Sequence, residues 1–123
     1  MSDFPADRLA AIDETMEVEI ETRRDPRAPS HRVVIWVVVD AGEVFVRSVR
    51  GTKGRWFREL MANPEAILHV GGAAIAVRGL PAADAASVER CSRALGRKYA
   101  GDPALRSMLR AEVLPTTIRL GPA

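Results

Sequence analysis

Arg47, Arg50, Lys53, Arg55 and Arg58 crowd the stretch VRSVRGTKGRWFREL (residues 46–60), and no acid lies between the first and last of them. The whole chain carries a net charge of only +2, so this positive charge is local. Ser48 and Thr52 add hydroxyls, Gly51 and Gly54 add permissive backbone, and Trp56 adds an indole. Those residue types suit a phosphate. Arginine grips phosphate oxygens with two parallel bonds, and glycine lets the backbone come close. A helix start after the glycines presents unpaired N–H groups to an anion. Each hydrogen bond to a charged group is worth about 1.5–3 kcal/mol, so three or four could hold one phosphate. The candidate anion-binding residues are therefore Arg47, Ser48, Arg50, Gly51, Thr52, Lys53 and Gly54. The stretch is not a nucleotide P-loop, because no G-x-x-x-x-G-K-[ST] occurs.

Other reactive types are sparse. His31 and His69 are the only histidines and have no partners at metal-ligand spacing, so no metal site is expected. His69 reads as a strand residue, whereas His31 lies in an Arg/Pro loop where it could border a pocket. Cys91 falls on an apolar helix stripe and reads as a buried structural thiol. Ser48 has no evident base, and no catalytic residue is assigned. Trp36 reads as core or subunit interface. Arg23, Arg24 and Arg32 could close a pocket over an anionic tail or equally form a solvated loop, and Lys98 suits a helix C-terminus.

The elements that must position these residues follow from periodicity. Residues 5–14 predict a short helix with Leu9 and Ile12 on one face. Met16, Val18 and Ile20 alternate with glutamates, which predicts a strand with one wet face. TRRDPRAPSH is punctuated by proline. VVIWVVV (33–39) does not alternate and predicts a strand buried on both faces, one of them covered by a helix or by a second copy of the chain. Asp40 to Glu43 turns into a hairpin partner, EVFVRSVR. Residues 55–62 predict a helix whose apolar side is Trp56, Phe57, Leu60 and Met61, stopped by Asn63-Pro64. Strands at 66–70 and 73–79 meet at Gly71-Gly72. A long helix over 81–99 carries Val88, Cys91, Leu95 and Tyr99 in one stripe, with Asp84 as N-cap. A second helix over 103–112 and a closing strand over 116–120 complete the chain.

At 123 residues the chain reads as one domain, 1–123, long enough to bury a core without disulfides. The fold class expected is mainly β with helices (α+β): a small antiparallel β-barrel of about six strands, its openings capped by helices. A single cysteine excludes a disulfide within the chain and points to a reducing, cytoplasmic compartment. No apolar run reaches 18 residues, so no membrane partner is expected.

Together the Arg-rich loop (22–32), the apolar strand (33–39), the D-x-G turn at Asp40-Ala41-Gly42, the strand 43–50, the Gly/Lys loop 51–54, Trp56 and Ala62-Asn63-Pro64 resemble the core of the split β-barrel flavin-binding superfamily. That group includes pyridoxamine 5′-phosphate oxidase and the deazaflavin-dependent nitroreductases. The pattern is nearest the latter, and within that group looks like an uncharacterised subfamily of small bacterial proteins. The resemblance covers about residues 15–80. It implies a homodimer with a flavin-type nucleotide, FMN or a 5-deazaflavin coenzyme, at the subunit interface, its phosphate against Arg47, Ser48, Arg50, Thr52 and Lys53, with Trp56 beside or beneath the site. The chain departs from the pattern at 22–32, where TRRDPRAPSHR holds no glycine.

The activity implied is that of an oxidoreductase, hydride transfer to a small molecule, in which the cofactor carries the chemistry and few acid–base residues are needed. The alternatives are a non-catalytic flavin-nucleotide carrier and a nucleic-acid binder using residues 47–58. Nucleic acid is disfavoured as a partner because only six aromatic residues are available to stack bases.

Overall fold

A computed structural model describes residues 3–123. All seven strands join one antiparallel sheet that curls into a split barrel with helices packed around it. In chain order the elements are α1 (Ala6–Glu14), β1 (Val18–Thr22), β2 (His31–Ile35), β3 (Val37–Asp40), β4 (Glu43–Val46), a 3-10 turn (Gly51–Lys53), α2 (Arg55–Ala62), β5 (Glu65–Val70), β6 (Ala73–Pro81), α3 (Ala85–Lys98), α4 (Leu105–Met108), a 3-10 segment (Ala111–Thr116) and β7 (Ile118–Pro122). The strand order is β2-β1-β5-β6-β7-β4-β3, so β2 and β3 lie at opposite edges although only Trp36 separates them in the chain.

That arrangement corrects the expectation of one long strand at 33–39. The strand is interrupted at Trp36, and the burial differs on either side. Val37 and Val38 are fully buried, one facing the barrel and one facing out, but Val33 and Val34 are 42% and 52% exposed. The outward face of β3 and β4 is covered by α3: Val38 and its cross-strand partner Phe45 pack with Cys91, Ala94, Leu95 and Tyr99. β2 lies at the far edge, beyond that cover. Inside the barrel Val18, Ile20, Val37, Val44, Leu68, Val77, Ile118 and Leu120 form the main core, closed at one side by Leu60 and Trp56 of α2. Alternation in β1 sends every second side chain inward, as the sequence predicts, and β5 alternates in the same way.

Local chemistry sets the turns and helix ends. Ala41 and Gly42 both have positive φ (50° and 80°), the geometry of a two-residue hairpin loop joining β3 to β4. The Asp84 carboxylate accepts from the Ser87 N–H and caps α3. Helix α2 spans Arg55–Ala62 as expected. The helix expected over 103–112 is shorter: α4 ends at Met108, and Pro115 falls within a 3-10 segment. This break brings Thr116 to the Ser48 N–H, whose proton its hydroxyl accepts at 3.0 Å, and Thr117 to the Arg47 guanidinium. Met16 is half exposed and precedes β1 instead of lying in it. Polar latches hold the outer layer. Arg90 of α3 donates to Asp40 and Glu43, and Lys98 donates to the carbonyls of Ile12, Thr15 and Val37. No helix among the described residues is long and apolar enough to cross a membrane.

Candidate functional site

The residues just after β4 (Arg47 to Arg50) and the start of α2 (Gly54 to Trp56) form one wall of a cavity of about 490 Å³, and β2 with Trp36 forms another. The volume falls within the roughly 300–1,000 Å³ typical of small-molecule sites. The structure divides the basic segment into two groups.

Arg47 turns inward. It is 2% exposed, and its guanidinium donates to Thr117 Oγ1 (3.0 Å), Ser92 Oγ (3.0 Å), Met108 O (3.0 Å) and Val88 O (3.1 Å). Burial draws its pKa down, and among the described residues no carboxylate pairs with it. This arginine ties β4 to α3, α4 and the start of β7, so its donors are already engaged inside the protein. Ser48 is likewise committed: its hydroxyl donates to Gly51 O at 2.8 Å. Gly54 packs against that same hydroxyl, and a Cβ there would come within 2.5 Å of Ser48 Oγ. The glycine is therefore required by the fold of the turn itself. Gly51 has φ +66°, which favours glycine. Gly51, Thr52 and Lys53 do not border the cavity.

Arg50 and Arg55 do border it, and among the described residues neither side chain has a hydrogen-bond or ion-pair partner. Helix α2 begins without a side-chain cap, so its first-turn N–H groups add positive potential at the same wall. Trp56 is 8% exposed, part of the core and part of the lining. Trp36 lines the cavity while its other face stacks on Tyr99, ring centroids 3.9 Å apart and 3° from parallel. The Tyr99 hydroxyl donates to Met16 O and accepts from the Val37 N–H, and burial pushes its pKa up to about 12. The indole is thus held flat against a rigid support.

Arg32, His31, Glu17 and Val33 complete the rim. Arg32 is paired with Glu19 at 2.6 Å. His31 meets a group that the sequence reading missed: Glu59, 9% exposed, accepts from Thr22 Oγ1 at 2.8 Å and faces His31 Nδ1 at 2.9 Å. The only signal for Glu59 in the sequence was an acid within the apolar turn WFREL. No group of three or more potential metal ligands occurs among the described residues.

Two free guanidinium groups beside an uncapped helix start suit an anion such as a phosphate, and the apolar and indole lining suits a planar ring. Among proteins with curated descriptions, none matches the chain. A family model described as "Uncharacterized protein conserved in bacteria (DUF2255)" matches residues 8–120. The chain belongs to that family. Solved structures similar to this DUF2255 member share its fold at low identity. HutZ, a heme storage protein from Vibrio cholerae, is 14% identical with a TM-score of 0.66, over 100% of this chain and 92% of its own. A putative pyridoxamine 5′-phosphate oxidase from Listeria innocua is 15% identical with a TM-score of 0.65, over 94% and 90%. An F420 reductase is 18% identical with a TM-score of 0.63, over 98% and 96%. The fold is the split barrel of pyridoxamine 5′-phosphate oxidase-like proteins, as the sequence resemblance implied.

Proposed function

We propose that this protein holds a flavin-type nucleotide, FMN or a 5-deazaflavin coenzyme, in the cavity between Trp36 and the start of α2, and supports hydride transfer to a small molecule there. One observation carries the reading. The cavity joins two unpartnered cations, Arg50 and Arg55, to an apolar stretch of lining that includes two indoles. A terminal phosphate suits the first and an isoalloxazine-like ring the second. The kinship of fold with an F420 reductase and a putative pyridoxamine 5′-phosphate oxidase supports it. The cofactor would supply the hydride chemistry, leaving the chain to grip, orient and exclude water. The exposed Val33 and Val34 at the edge of the cavity wall suit closure by a second copy, giving a homodimer in a reducing, cytoplasmic setting.

The test is a titration with FMN and with the deazaflavin coenzyme, followed by tryptophan fluorescence. One of the two is expected to bind, with Arg50→Ala plus Arg55→Ala weakening it more than tenfold. Lys53→Ala, outside the lining, should change it less than twofold. Failure of both nucleotides to bind would remove the reading. A second reading, a carrier without turnover, is favoured by the similarity to a heme storage protein. Tight binding with no oxidation of any reductant would select it.

A further inference from the structure

We propose that His31, fixed by Glu59 and Thr22, is the proton-transfer group of the cavity, and that the acceptor reduced there carries a polarised C=O or C=N bond. This rests on the oxidoreductase reading above.

Thr22 ends β1 and His31 begins β2, directly opposite it in the antiparallel register, so both side chains leave the same face of the sheet. Glu59 of α2 reaches between them. Thr22 is 1% exposed and donates its hydroxyl proton to Glu59 Oε1, while Oε2 faces His31 Nδ1. With Oε1 already serving as an acceptor, the carboxylate accepts at Oε2 as well, so Nδ1 carries the proton of the imidazole. A neutral ring then has its lone pair on Nε2, and a cationic ring presents Nε2–H. Among the described residues Nε2 has no partner, and His31 borders the cavity. The second histidine provides the contrast. His69 gives its Nε2 to Glu21, a carboxylate already bonded by Ser30, and lies outside the cavity lining. Of two histidines paired with strand or helix carboxylates, one spends its outer nitrogen on the protein and the other leaves it for a ligand.

The step balances without further groups. With a reduced flavin-type nucleotide as the hydride source, the acceptor gains a hydride at carbon and its C=O or C=N π pair moves onto the heteroatom. The heteroatom forms a bond to the Nε2 proton, and the N–H bonding pair remains on Nε2. The acceptor is reduced by two electrons, the cofactor is oxidised, and Glu59 remains a carboxylate holding Nδ1–H. General acid catalysis of this kind contributes about 10²–10⁴-fold. The other charged groups bordering the cavity are Glu17, Arg32, Arg47, Arg50 and Arg55. Arg32 is engaged by Glu19, and arginine does not give up its proton.

Two measurements test this. The first needs no cofactor: ¹⁵N NMR of the imidazoles should show neutral His31 in the Nδ1–H tautomer, and Glu59→Gln should mix the two tautomers. An Nε2–H tautomer in the wild type overturns the proposal. The second uses whichever nucleotide binds, reduced with dithionite, freed of excess reagent and reoxidised anaerobically by benzaldehyde, whose carbonyl takes a hydride at carbon and a proton at oxygen. His31→Gln is expected to bind the nucleotide within twofold of wild type and to reoxidise at least 100-fold more slowly, with added imidazole accelerating the His31→Ala variant. Reoxidation of His31→Gln within threefold of wild type, with nucleotide bound, defeats the proton-transfer role and leaves the binding reading standing. If neither nucleotide binds the wild type, the oxidoreductase reading falls and this role falls with it.

Discussion

Replacing Arg47 by alanine separates the structural arginine of the basic segment from those available to a ligand. The side chain is almost wholly buried and reaches acceptors on α3, on α4 and at the start of β7. The Val88 carbonyl lies within α3 and keeps a helical partner, and the two hydroxyls can turn. Met108 O, at the end of α4, is left without this donor. One orphaned buried carbonyl costs about 1–3 kcal/mol. Two methylenes beyond Cβ add about 1.6 kcal/mol of lost burial. Desolvation of the guanidinium is taken to cancel the charge-assisted part of its bonds. The expected loss is about 3–5 kcal/mol, or about 10–20 °C in Tm for a domain of this size. Urea unfolding followed by the fluorescence of Trp36 and Trp56 measures it, and Arg47→Lys should recover little, because an ammonium cannot span the four acceptors. Arg50→Ala, exposed and unpartnered, should change stability by less than about 0.5 kcal/mol. The reasoning is refuted if Arg47→Ala unfolds within about 1 kcal/mol of wild type while weakening nucleotide binding as strongly as Arg50→Ala.

Two further outcomes follow from the titratable groups. Asp40 has its pKa drawn below the ordinary 3.8, first by the Arg90 hydrogen bond, so its contribution to stability is present above that value and is lost as pH falls through the lower, folded one. Asp40→Asn should therefore flatten the acid limb of a stability–pH curve below about pH 4, and an unchanged slope would remove Asp40 from the latch. Burial pushes the Cys91 thiol up to about 11, so the native protein should not react with an aromatic disulfide reagent at pH 8 on a timescale of minutes, whereas the urea-unfolded chain should react at once.

Much of the scaffold was legible because its signals are local. The bounds of α2, the Asp84 cap, the Gly71-Gly72 hairpin and the alternation of β1 all depend on residues within a few positions of one another. The site was legible as a segment and not as a set of roles. Arg47 and Arg50 look alike in sequence, and what separates them is a group of acceptors 41–70 positions away. Glu59 gave the weakest signal, since its burial is justified only by Thr22 and His31. The apolar run 33–39 reported correctly that something covers β3. It could not report that the strand breaks at Trp36, pairs at opposite edges of the sheet on its two sides, and leaves Val33 and Val34 uncovered.

The single residue between β2 and β3 has a mechanical consequence. Because these strands occupy the two margins of one sheet, Trp36 is the seam at which the barrel is sewn shut. One residue spans at most about 3.6 Å, so the margins cannot swing apart there to admit a guest. With its indole clamped on Tyr99, the seam is stiff as well as short. Entry to the hollow beside it must come from the open rim, and the space a ring would fill has to exist before the ring arrives.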